Sequence, residues 1–125
     1  MAIKLGQRPK TFKTFNVKFE MPDGEIGIIP ATYKYRTRVE FGKFMNEVFG
    51  QTEDKPGEGK TDFQKLFESM GDKNADYLLE CLDGWGLSEP LNKETLLQLS
   101  SELPAASVAL MTAYREACVE GRLGN

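Results

Sequence analysis

The sequence predicts an α+β fold, in which an N-terminal antiparallel β-hairpin packs on a C-terminal bundle of four to five helices. Apolar and polar residues alternate with a period of two from Phe15 to Met21, which is typical of a half-buried strand. β-Branched and aromatic residues fill the run at 25–38, which predicts the partner strand. From residue 39 onward the apolar residues recur at helical spacing. Residues 2–6 are a candidate third strand.

The chain of 125 residues has the size of one ordinary domain. We divide it into a β-hairpin region at 1–38, a helix at 39–49, a loop at 50–62 and a helical region at 63–125. The loop contains three glycines, one proline and no apolar side chain. Such a stretch cannot bury enough surface to offset the entropy lost on ordering, so we predict that it is mobile.

The hairpin is expected to turn at Pro22-Asp23-Gly24, because proline presets the first turn dihedral and glycine accepts a positive one. Pro30 interrupts the second strand and cannot donate a backbone hydrogen bond. That strand therefore lies at an edge near Pro30, or it contains a bulge there.

A basic ribbon is predicted after Pro30. Tyr33, Tyr35 and Thr37 alternate with Lys34, Arg36 and Arg38, so the two sets are expected on opposite faces of a strand. The favoured interpretation is that the tyrosines cover the core while the cations meet water or the acidic part of the chain. Binding of nucleic acid by this ribbon is the alternative, although a net charge of −3 argues against a firm hold on phosphates.

The sequence contains residues that are typical of helix ends. The helix at 39–49 carries several phenylalanines on one face. A capping box at Thr61 and Gln64 starts a helix that runs to Gly71. Another helix spans 75–82, and the residues at 83–86 close it, with Trp85 filling the junction between helices.

Two further helices follow. Asn92 is suited to cap a helix that starts at Lys93, because its side-chain oxygen can accept a hydrogen bond from the first turn. Pro104 ends that helix and begins the last one, which is expected to run to Glu120 and to stop at Gly121.

Catalytic chemistry has few candidate residues. The chain has no histidine, which removes the commonest general base and the commonest metal ligand. Cys81 and Cys118 each lie in a predicted helix, and neither has the spacing of a zinc site, so we expect two reduced thiols. We therefore predict no enzyme, no cofactor and no metal site.

Charge and hydropathy limit the classes of partner that are expected. Residues 1–45 carry nine Lys and Arg against four Asp and Glu, whereas residues 46–125 carry seven against fifteen. The two parts are expected to attract each other, or each a different partner. No signal peptide or membrane-spanning run is visible, so we expect an intracellular protein without a membrane partner.

Three pieces of the sequence resemble a known family. They are the strand that ends in Tyr-Arg-Thr-Arg, the Gly84-Trp85 turn followed by Pro90 and a leucine-rich helix, and the terminal helix with Ala113-Tyr114 that closes on Gly124-Asn125. This pattern is similar to the tail assembly chaperones of long-tailed bacteriophages and prophages. The resemblance covers most of the chain outside the loop, and it matches a framework rather than a set of contact residues.

The resemblance implies a small protein of the bacterial host cytoplasm that is absent from the mature virion. It implies that the phage tape measure protein is held soluble while the tail tube assembles around it, and the tube protein and copies of the chain itself are further candidate partners. The partner surface is expected to be apolar. The candidates are the phenylalanines on either side of the predicted loop: Phe41, Phe44, Phe49, Phe63 and Phe67.

Two other classes of function stay open. One is a structural component of the tail, such as a tube or terminator protein, which would need a larger sheet to form rings. The other is a small nucleic-acid-binding regulator that uses the basic ribbon.

Overall fold

The computed structural model describes residues 5–6, 8–49 and 63–122. These residues form three strands and four helices, and a short π-helical turn extends the last helix. In chain order they are β1 (Thr11–Glu20), β2 (Ile26–Lys34), α1 (Arg38–Phe49), α2 (Phe63–Cys81), β3 (Leu82–Trp85), α3 (Lys93–Glu102), α4 (Pro104–Arg115) and the π-helical turn at Glu116–Glu120. The predicted α+β class is confirmed. The predicted loop at 50–62 lies outside the described residues.

The sheet is antiparallel and has the strand order β1-β2-β3. Within the described residues, its third strand comes from 82–85, directly after α2. Residues 2–4 lie outside the described part of the chain, and Leu5 and Gly6 form a turn. The β2 strand therefore lies between β1 and β3 over the residues that pair with β3, which are Ala31, Thr32 and Tyr33.

The turn of the hairpin forms where the sequence predicts it. The Met21 amide donates to the Glu25 carbonyl at 2.8 Å, and the Gly24 amide donates to the Met21 carbonyl at 2.9 Å. Gly24 has a φ of 89°, which a residue with a side chain rarely adopts. Glycine at this position lets the two strands stay in register.

Pro30 lies at a bulge, which is one of the two predicted alternatives, and the pairing of β2 with β3 begins directly after it, at Ala31. Thr14 pairs with Ala31 and Val17 pairs with Ile29, so two residues of β1 oppose Pro30 alone. The extra residue shifts the alternation, which is why Thr14 and Val17 are both buried. On the other side of Pro30, its carbonyl accepts a hydrogen bond from the Gly86 amide at 2.9 Å.

The two helices predicted on either side of Gly71 are one continuous helix, α2. Glycine in a helix interior costs about 1 kcal/mol relative to alanine. Ala75, Leu78 and Cys81 follow Gly71 at helical spacing and are fully buried. Burial of that face outweighs the weak propensity of one glycine, so Gly71 does not end the helix.

The Gly84-Trp85 turn predicted from the sequence is instead part of β3. Trp85 pairs with Ala31 of β2, and its half-buried ring packs against the core. Its Nε1 donates to the Glu89 carbonyl at 3.0 Å. The ring thus packs on the core from β3, and its place at a junction between helices stays a prediction.

The helix ends near the C-terminus are confirmed. Asn92 Oδ1 accepts from the Thr95 amide at 2.8 Å, which caps α3. Pro104 is the first residue of α4. Gly121 ends the π-helical turn with a φ of 73°. Among the described residues, no helix is long and apolar enough to cross a membrane.

Close packing of Gly86 against Pro30 gives a test of the sheet. A Cβ atom at Gly86 would lie 2.8 Å from Pro30 Cδ, whereas a Cβ atom at Gly84 would meet nothing within 4 Å. Because the proline ring cannot move aside, Gly86→Ala should lower the free energy of unfolding by about 1–3 kcal/mol. Urea denaturation followed by circular dichroism measures it.

Gly84→Ala is the matched control, two residues away in the same strand segment. It should change the free energy of unfolding by less than about 0.5 kcal/mol. Equal losses for the two variants would contradict the close contact between Gly86 and Pro30.

Candidate functional site

Aromatic rings at the centre of the molecule join the sheet to the helices. Tyr33 of β2 stacks on Tyr114 of α4 with ring centroids 5.0 Å apart. From the other side, Phe44 of α1 packs edge-on against Tyr77 of α2 at 4.9 Å and against Tyr114 at 6.0 Å. We call this set the aromatic cluster: Phe12, Tyr33, Phe41, Phe44, Tyr77 and Tyr114. Rings in such arrangements stabilise a core beyond their buried area.

The buried hydroxyl groups of the aromatic cluster all bind backbone carbonyls. Tyr33 donates to Leu110 at 2.6 Å, Tyr77 to Met111 at 3.1 Å, and Tyr114 to Lys34 at 2.9 Å. Burial raises the pKa of all three phenols above the ordinary tyrosine value. They are therefore structural groups that hold their protons at neutral pH.

The predicted basic ribbon does not form, because β2 ends at Lys34 and a helix starts at Arg38. Thr37 and Glu40 form a capping box: Thr37 Oγ1 accepts from the Glu40 amide at 3.1 Å, and Glu40 Oε1 accepts from the Thr37 amide at 2.9 Å. The hydrogen bond from the Thr37 amide lowers the pKa of Glu40. Alternation therefore stops two residues after the strand.

The two arginines of that stretch bind the C-terminal helix of the same chain. Arg36 donates to the Tyr114 hydroxyl at 2.9 Å, and its guanidinium lies 4.2 Å from the centroid of the Phe44 ring. Arg38 donates through Nε and Nη2 to the Val119 carbonyl, at 2.9 and 2.6 Å. These contacts tie α1 to α4 and to its π-helical extension. Neither arginine is arranged to grip a phosphate backbone.

The structure places the predicted partner residues in two different situations. Phe41 and Phe44 belong to the aromatic cluster and are 5% and 2% exposed. The side chains of Phe49, Phe63 and Phe67 lie outside the described part of the structure. The contribution of all five to partner binding stays a prediction.

An open groove of about 570 Å³ lies between the edge strand β1 and the outer side of α4. Small side chains of α4, including Ala105, Ala109 and Ala113, leave this space beside Val17 and Phe19. Val108 on the groove is 53% exposed. The sequence signal was the series of small residues on α4: Ala113 belongs to the apolar stripe of Leu110, whereas Ala105 and Ala109 fall outside it.

The described residues hold no group that is arranged for catalysis by a thiol or a metal. Both cysteines are free, and burial raises the pKa of Cys81 well above its ordinary value. In the described part of the chain, no three His, Cys, Asp or Glu side chains lie together as a metal site would require. What the described surface offers a partner is apolar area with charges at its borders.

The model of one protein family, described as phage tail assembly chaperone, matches residues 1–125. The chain belongs to this phage tail assembly chaperone family. The family resemblance predicted from the sequence is thus confirmed over the whole chain. Searches of curated proteins and of solved structures found no match. The aromatic cluster therefore forms the core of a tail assembly chaperone. A site that binds a partner without a structural change has to lie on the surface of the chaperone, outside this cluster.

Removing one hydroxyl tests the link between the sheet and the helices of the chaperone. Tyr114→Phe leaves the Lys34 carbonyl and the Arg36 guanidinium without their buried partner, so it should lower the free energy of unfolding by about 1–3 kcal/mol. Tyr35→Phe is the control, because the Tyr35 hydroxyl has no hydrogen-bond partner among the described residues. Equal effects in chemical denaturation would contradict the role of Tyr114.

Alkaline pH should unfold the chaperone. Unfolded tyrosines ionise near pH 10, whereas the folded chain retains the protons of Tyr33, Tyr77 and Tyr114. These groups make their full contribution to the free energy of unfolding below about pH 10. The contribution falls as the pH rises further, because the unfolded state then binds fewer protons than the folded state does. Urea midpoints between pH 8 and 11 measure the slope, and Tyr114→Phe should make that slope shallower. An unchanged slope would contradict the assignment.

Proposed function

We propose that the chain is a non-catalytic chaperone that binds the tape measure protein of its phage. In this proposal it acts in the cytoplasm of the bacterial host, keeps the tape measure protein soluble while the tail tube assembles, and is absent from the mature virion. The observation that carries the proposal is the family match over residues 1–125. A chaperone of this kind needs exchangeable apolar surface and no nucleophile.

Exposed apolar side chains of the described surface support this proposal. Ile26 and Ile28 of β2 are 61% and 49% exposed, and Val108 of α4 lies on the groove beside β1. Isolated apolar residues are common on any surface, but these belong to a strand face and to a groove. An amphipathic helix of a partner can cover either one without any change in the fold.

Two of the phenylalanines predicted to bind the partner, Phe41 and Phe44, could do so only after a structural change. Contact of Phe41 or Phe44 with another protein requires α1 to leave its place against Tyr77 and Tyr114. It also requires Arg36 and Arg38 to release the C-terminal helix. Surfaces that are already open need no such rearrangement, so we place the first contact there.

Co-expression tests the proposed function. The tape measure protein of the same phage is produced with and without this chain, and we expect it to be soluble and to co-purify only when the chain is present. Leu110→Asp is the negative control, because it puts a charge into a fully buried site and should unfold the chaperone. A tape measure protein that is equally soluble alone would contradict the proposal. The same assay with the tube protein tests that second partner.

A further inference from the structure

The sheet face that points away from the helices carries a continuous apolar strip. Ile29 and Ala31 of β2 are buried against the core, so the residues that alternate with them point outward. These are Ile26, Ile28 and Pro30, and all three are exposed. Among the described residues, β3 pairs with β2 only at Ala31, Thr32 and Tyr33, so a strand added beside it would pair with the backbone of 26–29 but would leave the outward side chains uncovered. Packing onto the face covers the strip itself.

The two borders of the strip differ in chemistry. On the β1 side, Lys18 lies opposite Ile28 and Lys13 lies opposite Thr32, and both lysines are exposed. Lys34 lies at the end of the strip, and none of these three lysines forms an ion pair with another described residue. Exposed carboxylates nearby include Glu20, opposite Ile26 at the far end, Glu25, which directly precedes Ile26, and Asp83 in the bulge of β3.

On the β3 side the border is made of glycines. Gly84 and Gly86 provide no side chains there, and an open depression of about 450 Å³ forms between β3 and the strip. Besides the glycines, the depression is lined by Pro30, Thr32, Lys13, Thr14, Ala31 and Trp85. One side of the strip is therefore cationic, while the other can receive a bulky apolar side chain.

We propose that this face binds an amphipathic helix whose apolar stripe is bordered on one flank by Asp and Glu residues. The inference rests on the proposed function, in which that helix belongs to the tape measure protein. Its acidic flank lies over Lys13 and Lys18, and a large apolar residue fills the depression beside Gly84. The strip from Ile26 to Thr32 is about 20 Å long at roughly 3.4 Å per residue. A helix needs about 13 residues to cover that length at 1.5 Å per residue.

The charge pattern selects this occupant over a strand or a basic helix. Strand addition at the edge of β1 is disfavoured by its bulge and by its exposed lysines. A basic helix would place cations against Lys13 and Lys18, and like charges across an interface suppress wrong partners. Opposite charges at an exposed border fix orientation and speed association more than they add affinity.

Variants of the full chain test the surface with the tape measure protein as probe. Ile28→Asp should weaken co-purification and raise the Kd by about tenfold or more, because it puts a charge at the centre of the apolar strip. Lys13→Glu with Lys18→Glu should raise the Kd by about three- to tenfold and remove most of its dependence on salt. Val108→Asp changes the groove between β1 and α4, which is the other open surface, and should raise the Kd less than Ile28→Asp does. All four positions are exposed, so circular dichroism should show unchanged folding.

Peptides test the chemistry of the occupant. Overlapping 20-residue segments of the tape measure protein are tested by fluorescence anisotropy, and the segments that bind should be those with Asp and Glu on one flank of an apolar stripe. The double lysine variant should lose preference for them and gain preference for their Lys-flanked counterparts. A purely structural role for the lysines would not reverse that preference.

Three results would overturn the inference. They are loss of binding in Val108→Asp but not in Ile28→Asp, binding that is indifferent to the lysine reversal, and a concentration-dependent dimer of the chain alone that Ile28→Asp abolishes. The failures are separable. If the unmodified chain does not solubilise the tape measure protein, the proposed function fails; if it does and Ile28→Asp does so equally well, only this surface assignment fails.

Discussion

Burial of the Tyr114 side chain is the constraint on which the rest of the structure depends. Its ring contacts β2, α1 and α2, and its hydroxyl sits between the Lys34 carbonyl and the Arg36 guanidinium. A phenol buried without partners would be costly, so the chain must bring the end of β2 to this point. Once it does, Arg36 covers Phe44 and Arg38 reaches the Val119 carbonyl. The positions of α1 and of the C-terminal helix are thereby fixed together.

This arrangement decides which apolar residues are open at the surface of the free chain. The rings of Phe41 and Phe44 pack against Tyr77 and Tyr114 and hold α1 in place, so both are buried there. Because the helices cover one face of a three-stranded sheet, the other face stays open to water, as antiparallel sheets permit. Ile26 and Ile28 are exposed for that reason. Apolar surface for a chaperone is thus a consequence of an asymmetric, two-layer fold.

Sequence reasoning found the elements whose signals are local. The turn at Gly24, the cap at Asn92, the helix start at Pro104 and the stop at Gly121 each depend on one or two residues, and all are confirmed. It failed where tertiary packing competes with a local signal. Gly71 stays helical because the residues after it are buried.

Two features of the site could not be predicted from the periodicity of apolar residues. The capping box of Thr37 and Glu40 is visible in the sequence, but the alternation before it favoured a longer strand. The strand at Leu82–Trp85 is too short, and too close to a helix end, for its pairing with β2 to be read locally. Without that strand, β2 is not recognised as paired on both sides over part of its length, and the depression beside Gly84 cannot be foreseen. The exposed face depends on long-range pairing, which a single sequence does not display.

The central claim is that the chaperone receives its partner on a preformed surface while the aromatic cluster stays closed. Hydrogen–deuterium exchange of the chain, alone and bound to the tape measure protein, tests it most directly. We predict that the amides of β1 and β2 gain protection in the complex, while those of α1 keep the protection that they have in the free chain. Loss of protection in α1 on binding, with no change in β1 and β2, would contradict the account.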